Sequence, residues 1–395
     1  YFYLDEFILN RMKENDLDDQ TADALYRCFC HTDLVDEGEN STFVSLMESP
    51  NFHYFERIYR AEILIYIVLM YRSILNIKNQ CCYTYTKKER DHVFPVHYTK
   101  LKTLKILLSN GTEGDESSIP KLRLWNTAYM NDSFEGGVFS KLLCHAVEKA
   151  YDNDADKKRE TDEVASVLQI YFGDQTMADL QADSAVFVLS FSKALNNFQM
   201  WNIYADAEKG CAIRFDDDFF DIKDDYVDPI ADVGSDIYSL YEVQYYDIEM
   251  GKIKDNNCDF ETDMSLIWKY LREIENVLQE MKKENTTDDE VKSLLFSNAL
   301  MEVRSFVADR LNEVRFLFKT QSYAYEQELR LIRCSHFPRI DEESFKIPRL
   351  YIDVDREINH LEVTLGGKLE RQKVKDLHVW LSHTGKVERV SIEES

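Results

Sequence analysis

Phosphate-binding glycine loops are missing from this sequence. Neither a Gly-x-Gly-x-x-Gly run nor a Walker loop occurs in its 395 residues, which leaves the common dinucleotide and P-loop folds without support. Long apolar runs are missing too. The most apolar stretch, Ile63 to Tyr71, lies between Glu62 and Arg72 and is far short of the ~20 residues of a membrane helix. It reads as a buried helix, and no membrane contact is expected. The eight cysteines follow no repeating spacing. Cys28-x-Cys30-His31 and Cys81-Cys82 have no second half at zinc-site distance, so no metal is expected, and reduced thiols in a cytoplasmic protein are. Basic residues are outnumbered, 47 against 73 acidic ones, for a net charge of −26. Such a charge repels a phosphate backbone, so a protein is the expected macromolecular partner rather than nucleic acid. No basic-apolar-small leader opens the chain, which starts at Tyr1 rather than Met, as a fragment with an upstream domain removed would.

What is present is core-forming material. Hydrophobic residues make up 44% and aromatics 13%, enough for a substantial core, and the length suits one large domain plus an accessory one. Residues 1–90 read as a small all-helical module or the end of a helical repeat array, with Ala22, Leu25, Tyr26 and Phe29 on one stripe and a second periodic stretch from Phe55 to Ile77. From residue 91 short β runs alternate with helices: Val93–Tyr98, Ala185–Phe191, Gly210–Phe215, Tyr241–Tyr246, Tyr323–Arg333, Leu350–Val354 and Glu362–Leu365. A charged linker is expected at Asp152–Glu160. A helical hairpin is expected over 260–318, its second helix opened by the capping box Thr287-Asp288-Asp289-Glu290. The class is α+β, with 91–395 as one domain.

Three tripeptides carry the chemistry: His97-Tyr98-Thr99, Ser190-Phe191-Ser192 and Glu326-Gln327-Glu328. Each lies in a strand-like stretch, and within each the polar residues alternate and so share a strand face. Around them stand Met130-Asn131-Asp132-x-x-Glu135-Gly136, Met200-Trp201-x-x-Tyr204-Ala205, Gly210-x-x-Ile213-x-Phe215 and Tyr325-Glu326-x-Glu328-x-Arg330. From about Phe94 onward these blocks resemble a widespread prokaryotic domain-of-unknown-function family, itself similar to a distant branch of the ADP-ribosyltransferase fold and frequent beside bacterial defence and toxin genes. The resemblance implies a mixed, largely antiparallel split sheet with helical insertions. It implies NAD as substrate and mono-ADP-ribosylation of a macromolecular target. An NAD glycohydrolase and a non-catalytic nucleotide-binding sensor, regulated by a partner on the N-terminal helices, are the alternatives.

Cleaving the nicotinamide–ribose bond builds positive charge on the ribose, which a nearby carboxylate stabilises. The resemblance puts Glu328 in that role. Glu326, about 7 Å along the same strand face by strand geometry, is expected to orient the acceptor or take its proton. Arg330 is expected to pin one carboxylate. The plainer alternative is an edge strand of alternating charge. By the same resemblance His97 meets the adenosine-side ribose and shares its face with Thr99, while Tyr98 alters how the nicotinamide amide meets the backbone. A core histidine is the alternative. Ser190 and Ser192 line the nicotinamide pocket, or only pack. Phe191 and Tyr204 stack on a ring of NAD, or belong to the core; Trp201 is structural. Asn131 and Glu135 bind a ribose hydroxyl or the acceptor, or cap the following helix with Asp132. Arg123 meets the pyrophosphate, or is a surface arginine. Asp216-Asp217-Asp218 reads as a solvated strand end rather than a cation loop.

Overall fold

In the computed structural model the apolar run from Ile63 becomes the middle of α1 (Arg57–Cys81). The structure describes residue 46 and residues 49–83, 95–108, 122–130, 136–173, 185–215, 219–220, 239–253, 260–284, 290–335, 338–342, 347–354, 356, 358, 360–383 and 390–394. Nearly every side chain from Ile63 to Tyr71 is buried, because α1 is wrapped by other helices rather than laid on a surface. Its helical neighbours are α6 (Phe260–Glu284) and α7 (Glu290–Arg315), and α3 (Gly137–Glu148) and α4 (Asp154–Phe172) pack against those two to complete the same cluster. On α6, Met264, Ile267, Leu271, Ile274, Leu278 and Met281 recur at three- and four-residue spacing and are all buried against this core. No helix among the described residues is long and apolar enough to cross a membrane.

The division expected at residue 90 does not divide the core. Phe52 to Cys81 and the two helices of the 260–318 hairpin share a single hydrophobic cluster, so the described part of the N-terminal module has no separate interior. Residues 1–45, with the stripe at Ala22 to Phe29, and the capping box at 287–290, apart from Glu290, lie outside the described residues. The charged stretch 152–160 is not a linker. Asp154 to Glu160 forms the first turns of α4, capped by the Asn153 side chain, which accepts from the Asp156 amide at 2.8 Å. Acidic side chains there complement the positive helix end.

Beneath the helices lies a largely antiparallel sheet, which makes the class α+β. Its strands are β1 (Val96–Thr99), β2 (Arg123–Asn126), β3 (Ala185–Ser192), β4 (Cys211–Phe215), β5 (Tyr241–Glu242), β9 (Glu328–Ser335), β10 (Arg339–Asp341), β11 (Arg349–Asp353), β12 (Leu361–Leu365) and β13 (Val390–Glu394), with only the β12–β13 pair parallel. A small second sheet joins β6 (Gln244–Asp247) to β7 (Lys252–Ile253) and β8 (Phe318–Thr320). The outer face of the main sheet is covered by α2 (Leu101–Leu108) and α8 (Arg371–His383), through Leu104, Leu377 and Leu381.

The central strand β3 organises the sheet. One of its edges pairs along its whole length with β9, from Ala185↔Ser335 to Ser192↔Glu328. The other edge is shared: β2 pairs at Phe187 and Val188, and β1 pairs at Ser192. Between those contacts β1 and β2 diverge, and the sheet is split. Next to the split, the short helix α5 (Phe198–Ile203) turns back through Asp206, Ala207 and Glu208, all three with positive φ. Gly210 and Gly366 pack around this turn. A Cβ on Gly366 would sit 2.3 Å from the Glu208 carbonyl, and one on Gly210 the same distance from that of Thr99. Only glycine fits such approaches.

Candidate functional site

The split holds a cavity of about 230 Å³. Val96 and Tyr98 line it from β1, Trp125 and Asn126 from β2, and Val188 to Ser192 from β3; Tyr204, Lys319, Glu326 and Glu328 close it, with Tyr129 and Arg349 on the wall. Part of the expected constellation therefore meets in one place. The register decides which part.

Val96 pairs with Ser192, so in this antiparallel pair Tyr98 shares the face of Ser190, and His97 shares that of Phe191. The serines, Tyr98 and the carboxylates are on the helical side. His97 and Thr99 turn their side chains to the opposite side, where the His97 ring meets Phe191 edge-on at 5.9 Å. Phe191 in turn packs on Phe215 and Phe220 and is core. Alternation therefore holds within β1 and within β3, but the polar members of the two strands face opposite sides of the sheet. His97 reaches the cavity from the sheet edge instead: its Nδ1 lies 2.9 Å from the Ser190 carbonyl, which is at the gap between the pairings of β1 and β2. A carbonyl only accepts, so Nδ1 carries the proton. Burial lowers the pKa of this imidazole, with the Ser190 bond opposing, which leaves Nε2 an acceptor at neutral pH.

Tyr98 is held rigidly. Its hydroxyl reaches the carbonyls of Ala194 and Leu195 at 2.6 Å each, and its ring meets Trp201 edge-on at 5.2 Å. Burial pushes its pKa up to about 12. Trp201 bonds the Leu195 carbonyl through its indole nitrogen at 2.9 Å and is nearly buried, a structural side chain.

The two glutamates are not on one strand face. Residues 321–326 form a 3-10 helix, Gln327 adopts φ 44° and ψ 51°, and β9 begins only at Glu328. The left-handed residue swings Glu326 out of line, and a lysine from β8 gathers the carboxylates again. Lys319 Nζ donates to Glu326 Oε2 at 2.7 Å and to Glu328 Oε2 at 2.9 Å. Glu328 also accepts from Arg330 Nε at 2.8 Å and Nη2 at 3.0 Å, and Arg330 donates to the Phe316 carbonyl. Arg330 is wholly buried, Glu326 and Glu328 nearly so. Burial alone would raise the Glu328 carboxyl. The charges of Arg330 and Lys319, with a hydrogen bond from Ser190, override it and hold the pKa down to about 2. Arg330, Lys319 and Ser190 occupy the roughly four acceptor positions of this carboxylate. Glu326 is served differently. Tyr204 donates its hydroxyl to Oε1 at 2.6 Å, and the half-buried Tyr325 hydroxyl is a further neighbour. Phenol hydroxyls rotate away for a ligand far more readily than a guanidinium fork unlocks.

The serines brace this corner. Ser192 Oγ donates to the Glu326 carbonyl at 2.7 Å, Asn197 donates to that of Tyr325, and the Tyr245 hydroxyl accepts from the Glu328 amide at 2.8 Å. Arg123 does not line the cavity. It pairs with Asp341 at 2.6 Å and lies over the Tyr351 ring at 4.1 Å. Arg349, over the Tyr129 ring at 5.0 Å, lines it instead. Asn131, Asp132, Glu135 and the Asp216–Asp218 run lie outside the described residues.

Lys319, Tyr245, Trp125 and Arg349 were not marked by sequence. The one available signal was Lys319 itself, a lone charge closing the apolar run Phe316-Leu317-Phe318.

Comparison with known proteins adds one finding. Residues 200–331 match the model of a family described as a protein of unknown function, DUF2971. The matched segment holds Tyr204, Lys319, Glu326, Glu328 and Arg330, but neither His97 nor the serines. No curated protein and no solved structure matches the chain.

Proposed function

We propose that the cavity in the split sheet binds NAD through its nicotinamide riboside end and that the chain is an ADP-ribosyltransferase. The observation that carries this reading is the pair of carboxylates, Glu326 and Glu328, joined by Lys319 on the wall of a cavity lined by tyrosines. A cavity of about 230 Å³ is below the ~300–1,000 Å³ of pockets that enclose a whole ligand. It suits one ring and its sugar, with the rest of a dinucleotide leaving along Tyr129 and Arg349.

In this reading the two glutamates divide the work. Glu328, ionised and locked by Arg330, is a fixed charge that holds Lys319 and sets the field around the ribose. Glu326, released by a turn of the Tyr204 hydroxyl, accepts a ribose hydroxyl and then the proton of the acceptor. Tyr98 and Tyr204 border the ring, and the −26 net charge favours a protein acceptor over nucleic acid.

A second reading has its own support. The cluster is charge-balanced, two carboxylates against Lys319 and Arg330, which suits a site that binds a nucleotide without turnover. Incubation with adenylate-labelled NAD and cell lysate separates the cases. Label on a macromolecule together with free nicotinamide is the expected result. Nicotinamide without label would mean a glycohydrolase, and saturable NAD binding with no nicotinamide would mean a sensor.

A further inference from the structure

Strand β6 has the carboxylate corner on one side and a second cavity on the other. Alternate side chains leave a strand on opposite faces: the Tyr245 hydroxyl accepts from the Glu328 amide, and Tyr246 lines a cavity of about 690 Å³. That volume is within the ~300–1,000 Å³ of sites that enclose a small ligand. One wall is α3, from which Lys141, Cys144, His145 and Glu148 face the cavity at helical spacing. The end of α4 and the turn between β6 and β7 close it. The turn is held from two sides. Asp247 Oδ1 accepts from the Glu249 and Met250 amides at 2.9 and 3.0 Å. Gly251, at φ 63°, lies on the His145 ring, where a Cβ would come within 3.2 Å of Cε1.

The wall selects the charge of a ligand. Glu148 and Glu249 line the cavity against one lysine, Lys141, which precedes Glu148 by about 10 Å of helix. Glu148 is half-buried, and among the described residues no lysine or arginine pairs with it. It is the last residue of α3, so the negative helix end adds to its charge. Its neighbours Tyr246 and Cys144 do not balance that charge. Burial, and then this carboxylate, raise the pKa of both, so both stay neutral at pH 7. The remaining surface is apolar, with Leu168, Phe172, Ile248 and Met250, and the Phe172 and Tyr246 rings favour a cation nearby.

We propose that this second cavity binds a small organic cation, its ammonium group at Glu148 and its apolar body between Leu168, Phe172 and Met250. Three matched probes test this in the full chain: phenylbutylamine, its neutral isostere phenylbutanol, and the anionic phenylbutyrate. The amine should bind saturably and tighter than the alcohol by roughly tenfold or more, the scale of one hydrogen bond to a charged group. The carboxylate should not bind. Spectra of methyl-labelled methionines place the ligand. Met250, 67% exposed at the rim of this cavity, should shift, and Met200, which lines the split, should not. Glu148→Gln should abolish the preference for the amine while the alcohol binds as before, which shows the cavity intact. None of these readings depends on NAD turnover. No saturable binding, equal binding of amine and alcohol, a shift at Met200 in place of Met250, or a preference that survives Glu148→Gln would each overturn the proposal.

Discussion

Two sets of buried charge, one within the helical layer and one at the sheet, differ in their access and in their partners. In the helical layer Glu275 is 2% exposed and accepts from Arg304 at 2.7 and 3.0 Å and from the Tyr171 hydroxyl at 2.7 Å. At the sheet, Glu326 and Glu328 are as deeply buried and as fully paired, yet they line the cavity in the split, which Glu275 does not. Burial and pairing alone thus describe both an internal strut and a candidate site. What separates them is access, and partners that can let go. Glu275 is forked by a guanidinium, whereas Glu326 is held by a lysine and by phenols that rotate.

The comparison breaks first at Arg330. Arg330→Met leaves Glu328 buried with Lys319 as its one cationic partner and should cost about 3–5 kcal/mol, read from the urea midpoint. A cost under about 1 kcal/mol would mean that the corner is not the rigid support described. Glu326→Gln should keep the fold and slow nicotinamide release by at least a hundredfold, the usual span for loss of an acid–base group. Acid should next act on Glu328. Its carboxyl lies at about 2 in the native state against 4.5 ordinarily, so its stabilisation is complete above about 4.5 and is lost as pH falls toward 2. That loss is on the order of 3 kcal/mol, and denaturant midpoints should fall through that window in the unsubstituted chain but more shallowly in Glu328→Gln. The strut sharpens the contrast: Glu275→Gln should cost about 1–3 kcal/mol of stability while NAD turnover by the folded fraction stays unchanged. Smallest is Tyr204→Phe, which removes one hydrogen bond to Glu326 and should cost about 1 kcal/mol in a thermal melt.

Local periodicity carried much of the fold. The burial of α1, the strands at 185–192, 211–215 and 361–365, and both hairpin helices follow from spacing and composition that any reader of the chain can count. The site was legible as a set of residues but not as a geometry. Alternation within one strand says that His97 and Thr99 share a face; it says nothing of whether that face matches the serines, since a shift of one residue in the β1–β3 register would reverse the answer. Gln327 gives no warning of its left-handed backbone, as a glycine would have done, so a strand through Glu326 was the natural expectation. Lys319 entered from another strand and sheet, and pairings between distant segments leave no mark in local spacing.

The most direct test of the central claim is nicotinamide release from NAD by the full chain, by Glu326→Gln and by Glu275→Gln, at matched folded fraction. The account predicts release by the unsubstituted chain and by Glu275→Gln, and its loss in Glu326→Gln. Release that survives in Glu326→Gln, or that falls equally in both variants, would contradict it.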